Sequence, residues 1–149
     1  MTSSIVMKFG GTSVADATAI RRSGGIIAGR VAQRPIVVVS AFAGVTNALL
    51  ALAQQAAAGQ LIPAVAAVQQ LRERHLRECD VLLAGSPDLV EVASDVSVAF
   101  DELATLCEAL SVLGFVTPRS LDAIAAVGEQ VSSLVCAHAF RAMGMDAVH

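Results

Sequence analysis

Ile5-Val6-Met7-Lys8-Phe9-Gly10-Gly11-Thr12-Ser13-Val14-Ala15-Asp16 is a short apolar run that ends on a lysine and a pair of glycines. Its branched residues and abrupt glycine stop predict a buried strand over residues 5–9. The glycines predict a loop whose bare backbone can wrap an anion, and the residues after them predict the first turn of a helix. A strand, a glycine loop and a helix in that order are the opening unit of a parallel α/β sheet.

The following elements extend the same pattern. From about Val14 to Val31 the spacing is helical, with Ile20, Ile26 and Ile27 among alanines and arginines. Gly24-Gly25 interrupts it at a cost of about 1 kcal/mol per glycine relative to alanine, which predicts a kink or a close packing contact. Ile36-Val37-Val38-Val39 is continuous rather than alternating, the pattern of a strand covered on both faces. It runs into Ser40-Ala41-Phe42-Ala43-Gly44-Val45-Thr46-Asn47, and a helix follows through Leu49, Leu50 and Leu52 to Gly59. Strand, helix, strand, helix predicts parallel pairing.

The middle of the chain predicts an inserted helical hairpin. Leu61, Val65, Val68 and Leu71 form one helical stripe, and Arg72, Glu73, Arg74, Arg77 and Glu78 are read as its solvated end. Gly85-Ser86-Pro87-Asp88 breaks that helix, and a second carries Val92, Val96, Phe100, Leu103, Leu106, Leu110 and Leu113. Thr117-Pro118 then starts a last helix, a capping residue followed by proline at the first helical position. Its stripe is Leu121, Ile124, Val131 and Val135, and residues 145–149 after Gly144 begin a candidate strand.

Composition limits what this architecture can serve. At 149 residues the chain suits one domain, and 55% hydrophobic against 15% charged residues excludes a disordered one. No apolar run approaches the ~18 residues that cross a bilayer, and Met1-Thr2-Ser3-Ser4 lacks the basic residues of a secretory signal. The expectation is a cytoplasmic protein with no membrane partner. A net charge of −3, with five Phe and no Trp or Tyr, predicts no nucleic-acid partner. Cys79, Cys107 and Cys136 are odd in number and lack metal-ligand spacing with His75, His138 or His149, so reduced, buried thiols and no metal site are expected.

Three places carry candidate chemistry. The glycine loop matches neither G-x-x-x-x-G-K-[ST] nor G-x-G-x-x-G. Its lysine precedes the glycines, which would aim the Lys8 ammonium across the top of the sheet while the Gly10 and Gly11 amides face the same space. A solvated lysine at a strand end has the same pattern. Ser40 lies at the carboxyl end of the second strand and Thr46 opens the next helix, where open parallel sheets bind ligands; both also suit capping and turn formation. Glu129 lies on a face of the last helix with Asp122, Ala125, Ala126, Ser132 and Ser133. Small residues around one glutamate suit a close approach of backbone or ligand, and also a lightly charged surface.

Lys8-Phe9-Gly10-Gly11-Thr12-Ser13-Val14-Ala15, then Val39-Ser40-Ala41 with Gly44-Val45-Thr46-Asn47, then Gly128-Glu129, resemble the successive motifs of the aspartate kinases, members of the amino acid kinase family. The motifs occur in the family's order across all 149 residues. The resemblance implies a three-layer αβα fold with a mostly parallel sheet. It also implies a reaction, transfer of the γ-phosphoryl group of ATP, carried with Mg2+, to the side-chain carboxylate of L-aspartate. The product is 4-phospho-L-aspartate, the entry to lysine, threonine and methionine synthesis.

By position, the resemblance gives Lys8 the transferring phosphoryl group, with Gly10 and Gly11 amides on its oxygens. Thr12 and Ser13 fall in the nucleotide-side loop, and Ser40, Thr46 and Glu129 hold aspartate. Family members continue with a substrate-binding arginine, a T-T-L-G-R-G-G-S-D stretch, an adenine pocket and commonly ACT domains, none of which is in this sequence. Residues 1–149 are therefore expected to be the amino-acid-substrate side of the kinase domain, truncated after its first half. Such a piece is expected to be inactive alone and prone to self-association. Two alternatives stand beside it: a kinase of the same fold acting on glutamate, acetylglutamate, carbamate or uridylate, and a non-enzymatic helical interaction module.

Overall fold

The computed structural model describes residues 4–149; residues 1–3, within the stretch weighed above as a secretory signal, lie outside that range. Strand β1 (Val6–Phe9) leads through a 3-10 turn (Gly11–Val14) into helix α1 (Ala17–Ala28). Asp16 caps α1 by accepting from the Ala19 amide at 2.8 Å, so the helix begins later than the periodicity alone places it. A second 3-10 turn (Val31–Gln33) brings the chain back to β2 (Ile36–Val39). β2 pairs with β1 in parallel, with Val6 opposite Ile36 and Phe9 opposite Val39.

Four of the five helices follow the sheet: α2 (Val45–Ala57), the hairpin α3 (Leu61–Leu82) and α4 (Leu89–Leu113), and α5 (Pro118–Ala142). Thr117 and Ser120 form a capping box at the start of α5, with Pro118 in the first turn. α5 packs against α2, β2 and α1, and the hairpin lies on α2. His138 of α5 reaches Asp88 at the start of α4, with Nδ1 to Oδ2 at 2.9 Å. Gly24 shows why α1 tolerates its glycines: a Cβ there would lie 2.7 Å from Met143 Sδ, so the position serves close packing, and the helix runs through it unbroken.

The arrangement is an α/β fold with a parallel sheet, as the sequence predicts. Met7, Phe9, Val37 and Val39 turn one sheet face to the helices, with Phe42, Val45, Leu49, Val131 and Val135 in the same core. The other face is open among the described residues. Val6, Ile36 and Val38 are 68%, 59% and 43% exposed. The expectation that Ile36–Val39 is covered on both faces is thus corrected: helices lie on one side, and burial along the strand alternates. Residues 145–149 form no ladder with β2 and take no strand conformation. α5 is long and apolar enough by length and composition to cross a membrane, a feature missed by counting uninterrupted apolar runs. In this fold its apolarity is spent on Ile124, Val131 and Val135, which are buried against the other helices and the sheet.

Candidate active site

Parallel pairing brings the carboxyl ends of both strands to one edge, and the two loops that leave them touch. The ladder closes with Ser40 N–H donating to Phe9 O at 3.0 Å. Beyond it, a Cβ on Gly11 would lie 3.2 Å from Ala41 O and 3.6 Å from Ala43 Cα, so the absence of a side chain lets the loops approach. Ser13 N–H donates back to Gly10 O at 2.9 Å, which folds residues 10–13 into a tight turn. The amides of Gly10, Gly11 and Thr12 donate to no acceptor among the described residues. Gly44 starts α2 at a φ of 80°, and no side chain caps the first turn. Two sets of uncapped amides therefore share one edge, a favourable place for negative charge.

α5 forms the third wall. Gly128 is buried, and a Cβ there would lie 2.9 Å from the Ala41 Cβ, 3.1 Å from Leu49 Cδ1 and 3.2 Å from Val45 Cγ1. One turn on, the fully buried Ser132 donates to Ser40 O at 2.7 Å. Ser132 therefore meets the backbone of residue 40, and Gly128 admits the side chains of Ala41, Val45 and Leu49. Glu129 is half-buried immediately after Gly128, and Ser40, on the loop that α5 contacts, and Thr46, in the first turn of α2, are half-buried as well. The structure thus brings the loop of Gly10, Gly11, Thr12 and Ser13 against the segment of Ser40 and Thr46, and Glu129 follows Gly128, which packs on Ala41 and Val45 of that segment.

Lys8 is placed differently. It is exposed on the open sheet face with Val6 and Val38, and it has no hydrogen-bond or ion-pair partner among the described residues. A cavity of about 640 Å³ is also elsewhere, lined by Ile27, Val39, Cys136, Phe140 and residues 145–148. It contains none of the candidate residues. The site is an open edge rather than an enclosed pocket.

The hairpin supplies contacts that the sequence does not announce. Arg74 and Glu78, read as part of a solvated helix end, are bonded to the loops: Arg74 donates to Ala43 O and Ala15 O, and Glu78 accepts from Ala17 N–H at 2.6 Å. His75, between them, is fully buried and stacks on Phe42 at 4.6 Å with a 9° interplanar angle. Its Nδ1 donates to Leu71 O at 2.7 Å, and its Nε2 has no partner among the described residues. Burial, opposed by that hydrogen bond and aided by the Arg74 charge, holds His75 down at about pH 4, so it is neutral. The available signal is spacing: stepping on from Leu71 along the stripe by fours reaches His75 and then Cys79.

Cys79, Cys107 and Cys136 are free and buried, as expected. Burial, with Asp80 and Glu78 nearby, pushes the Cys79 thiol up to about 12, and burial does the same to Cys136. Neither is a nucleophile at neutral pH. Among the described residues no three His, Cys, Asp or Glu side chains converge as a metal-ligand set.

Fold and site together define an α/β protein with paired glycine-containing loops at the carboxyl edge of parallel strands, where open sheets bind ligands. The chain belongs to the amino acid kinase family, whose model matches residues 3–149. It is 29% identical over 147 residues to the lysine-sensitive aspartokinase 3 of Escherichia coli K12, covering 99% of this chain and 30% of that protein. It is 27% identical over 139 residues to a chloroplastic bifunctional aspartokinase/homoserine dehydrogenase 2 of Zea mays, covering 93% of this chain and 15% of that one. Among solved structures, Escherichia coli aspartokinase III with lysine and aspartate in the T-state superposes with a TM-score of 0.83 at 26% identity, over 98% of this chain. The same enzyme with aspartate and ADP in the R-state gives 0.74 at 27% identity, over 97% of this chain. In both cases the match spans 30% of the solved chain.

Proposed function

We propose that the chain is the amino-acid-substrate side of an aspartate kinase, which phosphorylates the side-chain carboxylate of L-aspartate with ATP. The observation that carries the proposal is the meeting of three segments at one edge: the Gly10-Gly11 loop, the loop of Ser40 and Thr46, and the Gly128-Glu129 turn of α5. The solved relatives that match the whole of this fold bind aspartate, and one binds ADP as well.

In this proposal Ser40 and Thr46 hold aspartate by their hydroxyls, and Glu129 pairs with its ammonium group. A carboxylate with an ordinary pKa near 3.9 is ionised at neutral pH, so the nucleophile needs no general base. Its oxygen forms a bond to the γ-phosphorus while the bond from phosphorus to the β–γ bridging oxygen breaks, releasing ADP. What the protein contributes is alignment and charge neutralisation. The amides of Gly10 and Gly11 receive phosphoryl oxygens, Lys8 offsets their charge, and Thr12 and Ser13 border the nucleotide. This role requires the Lys8 stem, exposed on the open face, to extend around the strand end. No residue is assigned to Mg2+, because the carboxylates and imidazoles among the described residues converge in no ligand set.

In this proposal residues 1–149 supply the aspartate side of the site, and turnover uses glycine-rich and adenine-binding segments other than these. The test is a calorimetric titration with L-aspartate, L-glutamate and N-acetylglutamate. Saturable binding of aspartate in preference to the other two is expected, weakened about tenfold or more by Glu129→Gln, which removes a charge-assisted pair. Preference for N-acetylglutamate would move the chain to another branch of the family. Binding of none of the three would favour an interaction module. Aspartate-dependent ADP release by the chain alone would overturn its expected inactivity.

A further inference from the structure

We propose that Arg74 is a positioning residue that fixes the gap between the two loops of the site, and with it the approach of amino-acid carboxylate to phosphoryl group. The inference rests on the site proposed above and assigns a residue outside its three motifs. From α3, Arg74 Nη1 donates to Ala43 O at 2.9 Å and Nη2 donates to Ala15 O at 3.2 Å. Ala43 lies in the substrate-side loop, one residue before Gly44. Ala15 lies where the glycine loop leaves its 3-10 turn, one residue before the Asp16 cap.

Among the described residues no other side chain hydrogen-bonds to both loops. Their close approach at Gly11 and Ala41 carries no hydrogen bond, and Ser132 and Ser23 each hold one loop only, at Ser40 O and Ser13 O. A planar guanidinium reaches two carbonyls at a fixed separation, which a lysine ammonium on a flexible stem does not reproduce. The neighbours keep Arg74 in place. His75 stacks on Phe42 and packs against Phe100, and Glu78 accepts from the first amide of α1. One turn of α3 thereby grips the exit of each loop. Arg74 forms no ion pair with a carboxylate among the described residues, so its charge also favours an anion at the shared edge.

The experiment measures amide hydrogen exchange and L-aspartate affinity on the 149-residue chain, with Arg74→Met removing fork and charge and Arg74→Lys retaining charge alone. The reporting amides are Ser13, bonded to Gly10 O, and Val45, bonded to Phe42 O; Phe100 and Leu103 of α4 are controls. In both variants Ser13 and Val45 are expected to exchange about tenfold faster, with the α4 amides and the thermal midpoint little changed. Aspartate affinity is expected to fall about tenfold in Arg74→Met and less in Arg74→Lys. Guanidinium ion below denaturing concentration restores protection in Arg74→Met, which a general loss of packing would not allow. Unchanged protection of Ser13 and Val45 in Arg74→Lys overturns the proposal, even if Arg74→Met does not fold. If the wild-type chain binds no aspartate, the functional proposal fails, and the exchange measurement still decides the role of Arg74.

Discussion

His75 shows how one buried side chain links stability to pH. It is neutral in the folded protein down to about pH 4, whereas in the unfolded chain it protonates near 6.5. Between those values the unfolded state holds the extra proton, so stability rises with pH, is complete above 6.5, and is lost as pH falls towards 4. The full loss is roughly 3 kcal/mol. Urea unfolding of the wild type and of His75→Phe across that window checks it. The phenylalanine continues the Phe42–Phe100 stack, and the slope assigned to His75 is expected to vanish; an unchanged slope would assign the acid sensitivity to other groups. Glycines make a second contrast at this scale. Gly128→Ala places a methyl 2.9 Å from the Ala41 Cβ, which cannot rotate away, and is expected to cost about 1–3 kcal/mol and to weaken aspartate binding. Gly24→Ala meets the flexible end of Met143 and gains helix propensity, so it is expected to be far milder.

At the scale of elements, α5 owes its start to local chemistry and its position to tertiary contacts. Thr117→Ala removes the cap on the Ser120 amide and is expected to cost about 1 kcal/mol in thermal unfolding, with aspartate affinity retained. An affinity loss as large as that of Gly128→Ala would mean that the helix start, and not the Gly128 contact, sets the site. The sequence made much of this level legible. Leu89–Leu113 and Pro118–Ala142 follow from periodicity and capping, and β1 and β2 from branched runs stopped by Gly10 and Ser40. What stayed hidden depends on neighbours distant in the chain. Nothing local distinguishes Arg74, which bridges Ala15 and Ala43, from Arg72, which pairs with Asp101 on the surface. The open face of β2 was equally illegible, since a continuous valine run looks the same whether or not a second layer covers it.

For the whole molecule, the uncovered sheet face is the main physical liability. Val6, Ile36 and Val38 form an apolar patch beside Lys8, and β1 and β2 each have an unpaired edge among the described residues. Self-association that grows with concentration is expected by sedimentation velocity, and Val38→Lys is expected to reduce it by adding charge to the patch. A monomer at all concentrations would show that the patch is too small or too broken by Lys8 to drive association. The chain's candidate site lies on the loops at the carboxyl edge, away from the cavity near Cys136 and Phe140. That cavity is lined by Arg34 and Asp146 as well as by apolar side chains, so it is the competing place for an amino acid. The most direct test is therefore to map amide shifts in a ¹⁵N-labelled chain titrated with L-aspartate. Saturable shifts are predicted at Gly11, Ser40, Thr46 and Glu129, lost in Glu129→Gln; shifts confined to Val39, Cys136 and Phe140, or none at all, would contradict an aspartate site at the paired loops.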